Sequence, residues 1–165
     1  MNDKFVLYSG SPIGQIKITA DNIAVNSILF VFDDTELEPE SSNDVLHQCK
    51  KELNEYFSGK RKEFTVSIEQ EGTEFQKEVW NELLNIPFGK TKSYLDMAKN
   101  LGDANKIRAV GSANGKNQIS IIVPCHRVIG SNGELIGYAG GLWRKEWLLK
   151  HEREFSSFEM QMDLF

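Results

Sequence analysis

Apolar residues over the first 32 positions fall in short β-branched and aromatic runs broken by turn formers. Phe5-Val6-Leu7-Tyr8 leads into Ser9-Gly10-Ser11-Pro12; Ile13, Ile16 and Ile18 follow, then the run Ile23 to Phe32. This pattern predicts strands within 4–32. Asp33 to Glu40 is acidic and predicts a solvated loop. Beyond it, Val45, Leu46, Leu53, Tyr56 and Phe57 recur with helical spacing, and Ser42 or Asn43 can cap a helix running to about Phe57, stopped by Gly59. Phe64 to Ile68 predicts one more strand. This part reads as a small α/β unit without a polar constellation suited to chemistry.

Glu69-Gln70-Glu71-Gly72 predicts a linker. Thr73 with Gln76 fits a capping box, and Phe75, Val79 and Leu83 recur every fourth residue, so a helix starts at Thr73 and is stopped by Ile86-Pro87-Phe88-Gly89. Ser93 with Asp96 caps a short helix from Tyr94 to Leu101, ended by Gly102; Asp103 or Asn105 opens a third, ending near Asn114-Gly115. Two short helices across a tight glycine turn make a helix-turn-helix pattern. Ile119 to Val123 predicts a short buried strand bounded by Pro124. Gly130 to Gly141 predicts a glycine-rich loop able to wrap a ligand, and Leu142 to about Arg153 a last helix. No internal repeat is visible.

Composition narrows the class. The chain has 165 residues, 40% hydrophobic and 26% charged, which excludes a disordered tail, a collagen-like fibre and a coiled-coil rod. No apolar run nears the roughly 20 residues that span a bilayer, no membrane partner is expected, and the first residues lack a secretory pattern, so the expected compartment is cytoplasmic. Cys49 and Cys125 cannot build a disulfide framework, and no Cys/His cluster has zinc-ligand spacing. The net charge of -5 is uneven: residues 1–71 carry -6, whereas residues 90–127 carry +5. An acidic first part and a locally basic second part are compatible with a polyanion bound by the second.

The sharpest chemical feature is Pro124-Cys125-His126-Arg127-Val128. A cysteine beside a histidine and an arginine sits where a thiolate, the reactive form, is stabilised. On these residues alone, a small buried apolar role for Cys125 stays equally open.

Several ordered motifs resemble the O6-alkylguanine-DNA alkyltransferases, also called methylated-DNA–protein-cysteine methyltransferases. They are Ile86-Pro87-Phe88-Gly89, Ser93-Tyr94, Arg108-Ala109-Val110-Gly111, Asn117, Ile122 to Val128, Gly137 to Leu142 and Lys145 to Leu149. The resemblance covers about residues 72–152, and more loosely the N-terminal part through Gly59-Lys60-Arg61. It implies an α/β (α+β) fold of two small domains: a ribonuclease H-like N-terminal domain with linker over 1–71 and a winged-helix-like, helix-turn-helix alkyltransferase domain over 72–155. A flexible tail over 156–165 would follow.

It also implies a stoichiometric, cofactor-free reaction. Cys125 would take an alkyl group from O6 of guanine in duplex DNA, and from O4 of thymine if that base is accepted, and keep it as a thioether. His126 would serve as base through a water, Glu152 would orient it, Tyr94 would donate to the departing base and Asn117 would shape the floor. Val128, Tyr138, Ala139 and Gly140 would line the base pocket, with Lys145 assisting electrostatically. At Ala139 relatives often have serine, so a hydroxyl contact would be lost while the backbone N–H remains. Arg108 would fill the place of a flipped base. Ala109, Ser112, Ala113, Asn114, Lys116 and Arg127 would contact DNA, the helix 104–114 lying in the minor groove, where readout is degenerate. Zinc is not expected, because the ligand set of zinc-bearing relatives is absent, and the protein is expected to act as a monomer.

The end of the chain, Gln161-Met162-Asp163-Leu164-Phe165, resembles the pentapeptide by which bacterial DNA-processing proteins dock on the replication sliding clamp. Two other readings stay open: a non-catalytic protein that binds alkylated DNA and recruits repair factors, against which Cys125 speaks, and a thiol hydrolase built on Cys125, His126 and Glu152.

Overall fold

The computed structural model describes residues 3–163, with side chains described through 157. The chain forms two compact units, Met1–Gln70 with Gln118–Ile122, and Glu71–Asn117 with Val123–Phe165.

In the first unit β1 (Phe5–Ser9), β2 (Ile16–Ala20) and β3 (Val25–Phe30) form an antiparallel meander in the order β1-β2-β3. The register sets Leu7 opposite Ile18, and Ile18 opposite Ile28. Their alternate side chains meet α1 (Asp44–Phe57), and Ile16, Ile18, Ile28, Leu46, Leu53 and Tyr56 are buried. Of the two candidate caps, Asn43 does the work: its side chain accepts from the Leu46 N–H.

Two expected strands are not strands. Over 64–68 the described backbone makes one bridge, Ile68 with Val25. The amides of Thr65 and Val66 donate instead to the Glu52 carboxylate, at 2.7 and 3.2 Å, so a side chain satisfies groups that a ladder would otherwise have to satisfy. Over 119–123, Ile119 bridges Ile28, and the chain then turns, with Ile121 at φ 74°. A β-branched residue is strained in that conformation. Burial of Ile119, Ile121 and Ile122 accounts for the apolar run without a strand. Residues 118–122 thus group with the first unit, which the single linker at 69–72 did not foreshadow.

In the second unit Thr73 caps α2 (Glu74–Leu83) with both halves of the capping box formed. β4 (Lys92–Ser93) leads into α3 (Tyr94–Asn100), capped by Ser93. Gly102, at φ 97°, and a 3-10 turn over Ala104–Lys106 connect it to α4 (Ile107–Gly115). β5 (Val128–Ile129) pairs in parallel with β4, Lys92 opposite Val128; a ladder of two residues leaves no periodic trace in sequence. The Trp80 indole N–H donates to the Ala113 carbonyl at 2.9 Å, fixing α2 to the end of α4. The last helix, α5, runs Leu142–Asp163, where a stop near Arg153 and a flexible tail from 156 were expected. No glycine or proline interrupts 142–163, so nothing local ends it.

Candidate active site

The site lies within the second unit. Pro124 introduces a single 3-10 turn, Cys125–Arg127, which feeds β5. The Cys125 N–H donates to the Val123 carbonyl at 2.8 Å, and the Arg127 N–H to Pro124 at 3.0 Å. This tight turn places three consecutive buried side chains, Cys125, His126 and Arg127, toward three different sets of partners.

Two asparagines hold the backbone around the thiol. Asn117 Nδ2 donates to the Val123 carbonyl at 2.9 Å and Asn114 Nδ2 to the Cys125 carbonyl at 3.3 Å. Burial pushes the Cys125 thiol above its ordinary range, while a hydrogen bond from Asn117, the Lys145 charge and a backbone N–H pull it back. Lys145 is itself buried. Its Nζ donates to the carbonyls of Ile136 at 3.0 Å and Gly137 at 3.3 Å, and burial draws its pKa down to about 8.

His126 Nε2 lies 2.7 Å from Glu152 Oε2, and both side chains are buried. Burial holds the imidazole below its ordinary range. Burial also works against Glu152, but His126 and the Arg127 guanidinium outweigh it and keep the carboxylate ionised. A neutral imidazole beside an ionised carboxylate donates from Nε2, which leaves Nδ1 as the free acceptor. Nδ1 is buried and has no hydrogen-bond partner among the described residues.

The other Glu152 contacts come from farther along the chain. Arg127 Nε donates to Oε1 at 2.8 Å and Nη2 to Oε2 at 3.1 Å, while Nη1 donates to the Ile86 carbonyl at 2.6 Å. The Gly89 N–H donates to Oε1 at 3.1 Å. Gly89 has φ 79°, and a Cβ there would stand 2.1 Å from Ser156 Oγ, so both conformation and space require glycine. The Tyr94 hydroxyl donates to the Ile136 carbonyl at 3.0 Å, closing the loop 130–141 over this end of α3.

Comparison with known proteins agrees with this arrangement. A family model described as 6-O-methylguanine DNA methyltransferase, DNA binding domain, matches residues 74–154, and the ribonuclease-like domain of that family matches residues 6–70. The chain belongs to the 6-O-methylguanine DNA methyltransferase family. A methylated-DNA–protein-cysteine methyltransferase of Methanosarcina acetivorans is 47% identical over 146 residues, 86% of this chain and 94% of that one. The O6-methylguanine methyltransferase of Mycobacterium tuberculosis superposes with a TM-score of 0.83 at 38% identity, over 92% of this chain and 94% of that one. A structure of Mycobacterium tuberculosis OGT in complex with DNA has a TM-score of 0.82 at 39% identity, over 90% and 92%.

Within this member of the methyltransferase family, Cys125, His126, Glu152, Asn117, Tyr94 and Lys145 come together in one unit, as do Val128, Tyr138, Ala139 and Gly140 along and after β5. Val128 is fully buried, Tyr138 half-buried and Ala139 exposed. The expected DNA contacts divide. Arg108, Ala109, Ser112 and Lys116 are exposed on or just after α4. Ala113, Asn114 and Arg127 are buried. Ala113 lies on the helix face turned to Trp80, Asn114 holds the Cys125 carbonyl, and the Arg127 guanidinium is spent on Glu152 and Ile86.

Sequence reasoning missed the roles of Gly89, Ile86 and Arg127. The stop signal at 86–89 was visible, but a hydrogen bond spanning 63 residues has no local signature. Gln161, Met162 and Asp163 lie on the α5 backbone; their side chains, with Leu164 and Phe165, lie outside the described residues. Among the described residues no group of three or more His, Cys, Asp or Glu could hold a metal ion, and no helix is long and apolar enough to cross a membrane.

Proposed function

We propose that this protein repairs DNA by direct reversal, moving the alkyl group from O6 of guanine onto Cys125 once per molecule. The observation that carries the reading is a buried thiol followed in sequence by a buried histidine whose Nε2 lies 2.7 Å from Glu152 Oε2 and whose Nδ1 has no hydrogen-bond partner among the described residues.

The chemistry balances without a cofactor. The Cys125 proton passes through a water to His126 Nδ1, giving thiolate and imidazolium, with Glu152 stabilising the cation. Sulfur attacks the alkyl carbon, the S–C bond forms as the C–O6 bond breaks, and the electron pair moves into the guanine ring. The base regains a proton, so thiol and alkylguanine become thioether and guanine. Tyr94, released from Ile136, donates to the departing base and regains its proton from the imidazolium through water, and the Lys145 charge favours the thiolate. A thioether has no easy return path, which makes the protein a stoichiometric reagent.

The reactive atom lies inside a duplex, so the nucleotide turns outward into the pocket formed by Val128, Tyr138, Ala139 and Gly140, at a cost of about a few kcal/mol. Exposed Arg108 fills its place, while Ala109 and Ser112 let α4 approach the minor groove and Lys116 adds positive charge at its end. The protein acts on duplex DNA as a monomer. Its two free thiols suit a reducing compartment, the cytoplasm. Residues 161–165 dock on a replication sliding clamp; removing them abolishes clamp binding and leaves repair of short duplexes intact, and unchanged clamp affinity would dispose of that role.

The deciding experiment uses a duplex carrying O6-methylguanine with an isotopically labelled methyl. The expected result is one label per protein on the Cys125 peptide, restored guanine and no second turnover, with Cys125→Ser inert. Label on another residue, or restoration by Cys125→Ser, overturns the proposal. Multiple turnovers on an ester or amide would indicate the hydrolase, and unmodified protein with bound DNA the recruiting protein.

A further inference from the structure

Arg127 is buried where a DNA contact was expected, and its geometry assigns it other work. Its guanidinium grips both oxygens of Glu152 at 2.8 and 3.1 Å and reaches the Ile86 carbonyl at 2.6 Å. The Gly89 N–H, three residues after Ile86, supplies a further bond to the same carboxylate. Glu152 therefore accepts at least four hydrogen bonds on two oxygens, one of them from His126. The guanidinium, the 86–89 turn and α5 form a closed frame in which the carboxylate cannot rotate away from the imidazole.

Stability alone does not call for such a pair. Burying an arginine and a glutamate costs desolvation on both sides, and apolar groups of similar volume often serve as well. What an apolar group cannot supply is a countercharge. A lone buried carboxylate would draw a proton onto His126; beside a guanidinium, the histidine faces a neutral ion pair. The charged groups that act on His126 are Glu152 and Lys145 from α5, with Arg127 from its own turn. Of these, Arg127 and Lys145 oppose protonation of the imidazole, and Glu152 favours it.

Resting on the alkyl-transfer reading, we propose that Arg127 is a positioning residue that locks Glu152 onto His126 through its two-pronged grip on the carboxylate, and so sets the lower pH limit of alkyl transfer. It makes no contact with DNA.

The test compares Arg127→Met and Arg127→Lys with the wild type in single-turnover alkylation across pH at saturating duplex, together with affinity for undamaged duplex. Arg127→Met loses charge and fork, so the acid limb of the rate profile moves up by about one pH unit and the rate at neutral pH falls by about tenfold. Arg127→Lys keeps the charge but loses the fork, so its acid limb stays near the wild-type position while its plateau drops. DNA affinity and its salt dependence stay at wild-type values in both. An unshifted acid limb in Arg127→Met overturns the inference, as does a loss of DNA affinity with a shallower salt slope, the mark of a phosphate contact. Should Arg127→Met fail to fold, the imidazole nitrogen resonances of wild-type His126 decide. A neutral ring protonated at Nε2 at neutral pH supports the proposal, and an imidazolium overturns it. A wild type that never alkylates Cys125 defeats the functional reading instead, whereas alkylation with an unshifted Arg127→Met profile defeats only this inference.

Discussion

Among the described residues each unit of the molecule buries one cysteine and one glutamate, and the two pairs differ in their neighbours. In the first unit Glu52 accepts from Gln48 Nε2, the Thr65 amide and hydroxyl, and the Val66 amide, at 2.7 to 3.2 Å. In the second unit Glu152 accepts as many bonds, but from an imidazole, a guanidinium and one amide. The donors to Glu52 do not titrate and tie the 64–68 segment to α1. One donor to Glu152 is an imidazole, an ionisable group that burial holds below its ordinary range, and it stands one residue from a thiol. The cysteines diverge in the same way. Burial pushes Cys49 up to about 12, and the Glu52 charge adds to the effect, whereas Cys125 is raised by burial but opposed by Asn117, Lys145 and a backbone amide. Burial and hydrogen-bond saturation are common to both pairs, so neither marks a functional site. The sign and titration of the neighbouring groups do.

The comparison is broken most forcefully by replacing each carboxylate with its amide. Glu152→Gln is expected to slow alkyl transfer by about 10²–10⁴-fold, because the base loses its orienting partner, as read in single-turnover kinetics. Glu52→Gln is expected to leave the transfer rate unchanged and to cost about 2–4 kcal/mol in denaturant unfolding, since its amide nitrogen would face hydrogen-bond donors.

The acid side sharpens the same contrast. Burial works to raise Glu52, but bonds from Gln48, Thr65 and Val66 outweigh it and hold the folded value below the ordinary glutamate value of 4.5. A depressed carboxylate stabilises the fold above its unfolded pKa and loses that contribution as pH falls through the folded one. The stability gap between wild type and Glu52→Gln is therefore full at neutral pH and narrows below pH 4.5, which a pH series of urea unfolding curves measures.

Two left-handed glycines extend the comparison to the backbone. Gly89→Ala meets strain at φ 79° and Ser156 Oγ at 2.1 Å; about 2–4 kcal/mol of stability and part of the transfer rate should be lost. Gly59, at φ 82° after α1, should cost only about 1–2 kcal/mol as alanine, with unchanged transfer. Thermal melts with matched transfer rates check both.

The smallest effect concerns the thiols. Lys145→Gln should slow labelling of Cys125 by iodoacetamide at neutral pH by about tenfold. Cys49→Ala should leave the labelling stoichiometry of the folded protein unchanged, since Cys49 is buried and its thiol is raised to about 12.

Much of this molecule was legible in order along the chain. The Thr73 and Ser93 caps, the strands within 4–32 and the cysteine-histidine step at 125–126 all rest on patterns within a few residues. The expected strands at 64–68 and 119–123 failed because a distant carboxylate and a buried turn met the needs that a ladder would have met. The setting of Arg127 was hidden for a related reason: nothing near it in sequence shows the Glu152 carboxylate that its guanidinium grips. Local propensity, the caps and the order of the motifs were settled by the sequence itself, since each depends on neighbours in the chain. The protonation pattern at Cys125 and His126 was decided only by the tertiary structure, which sets Glu152, Gly89 and Lys145 beside them and removes water, and with water gone those few charges govern where the proton resides.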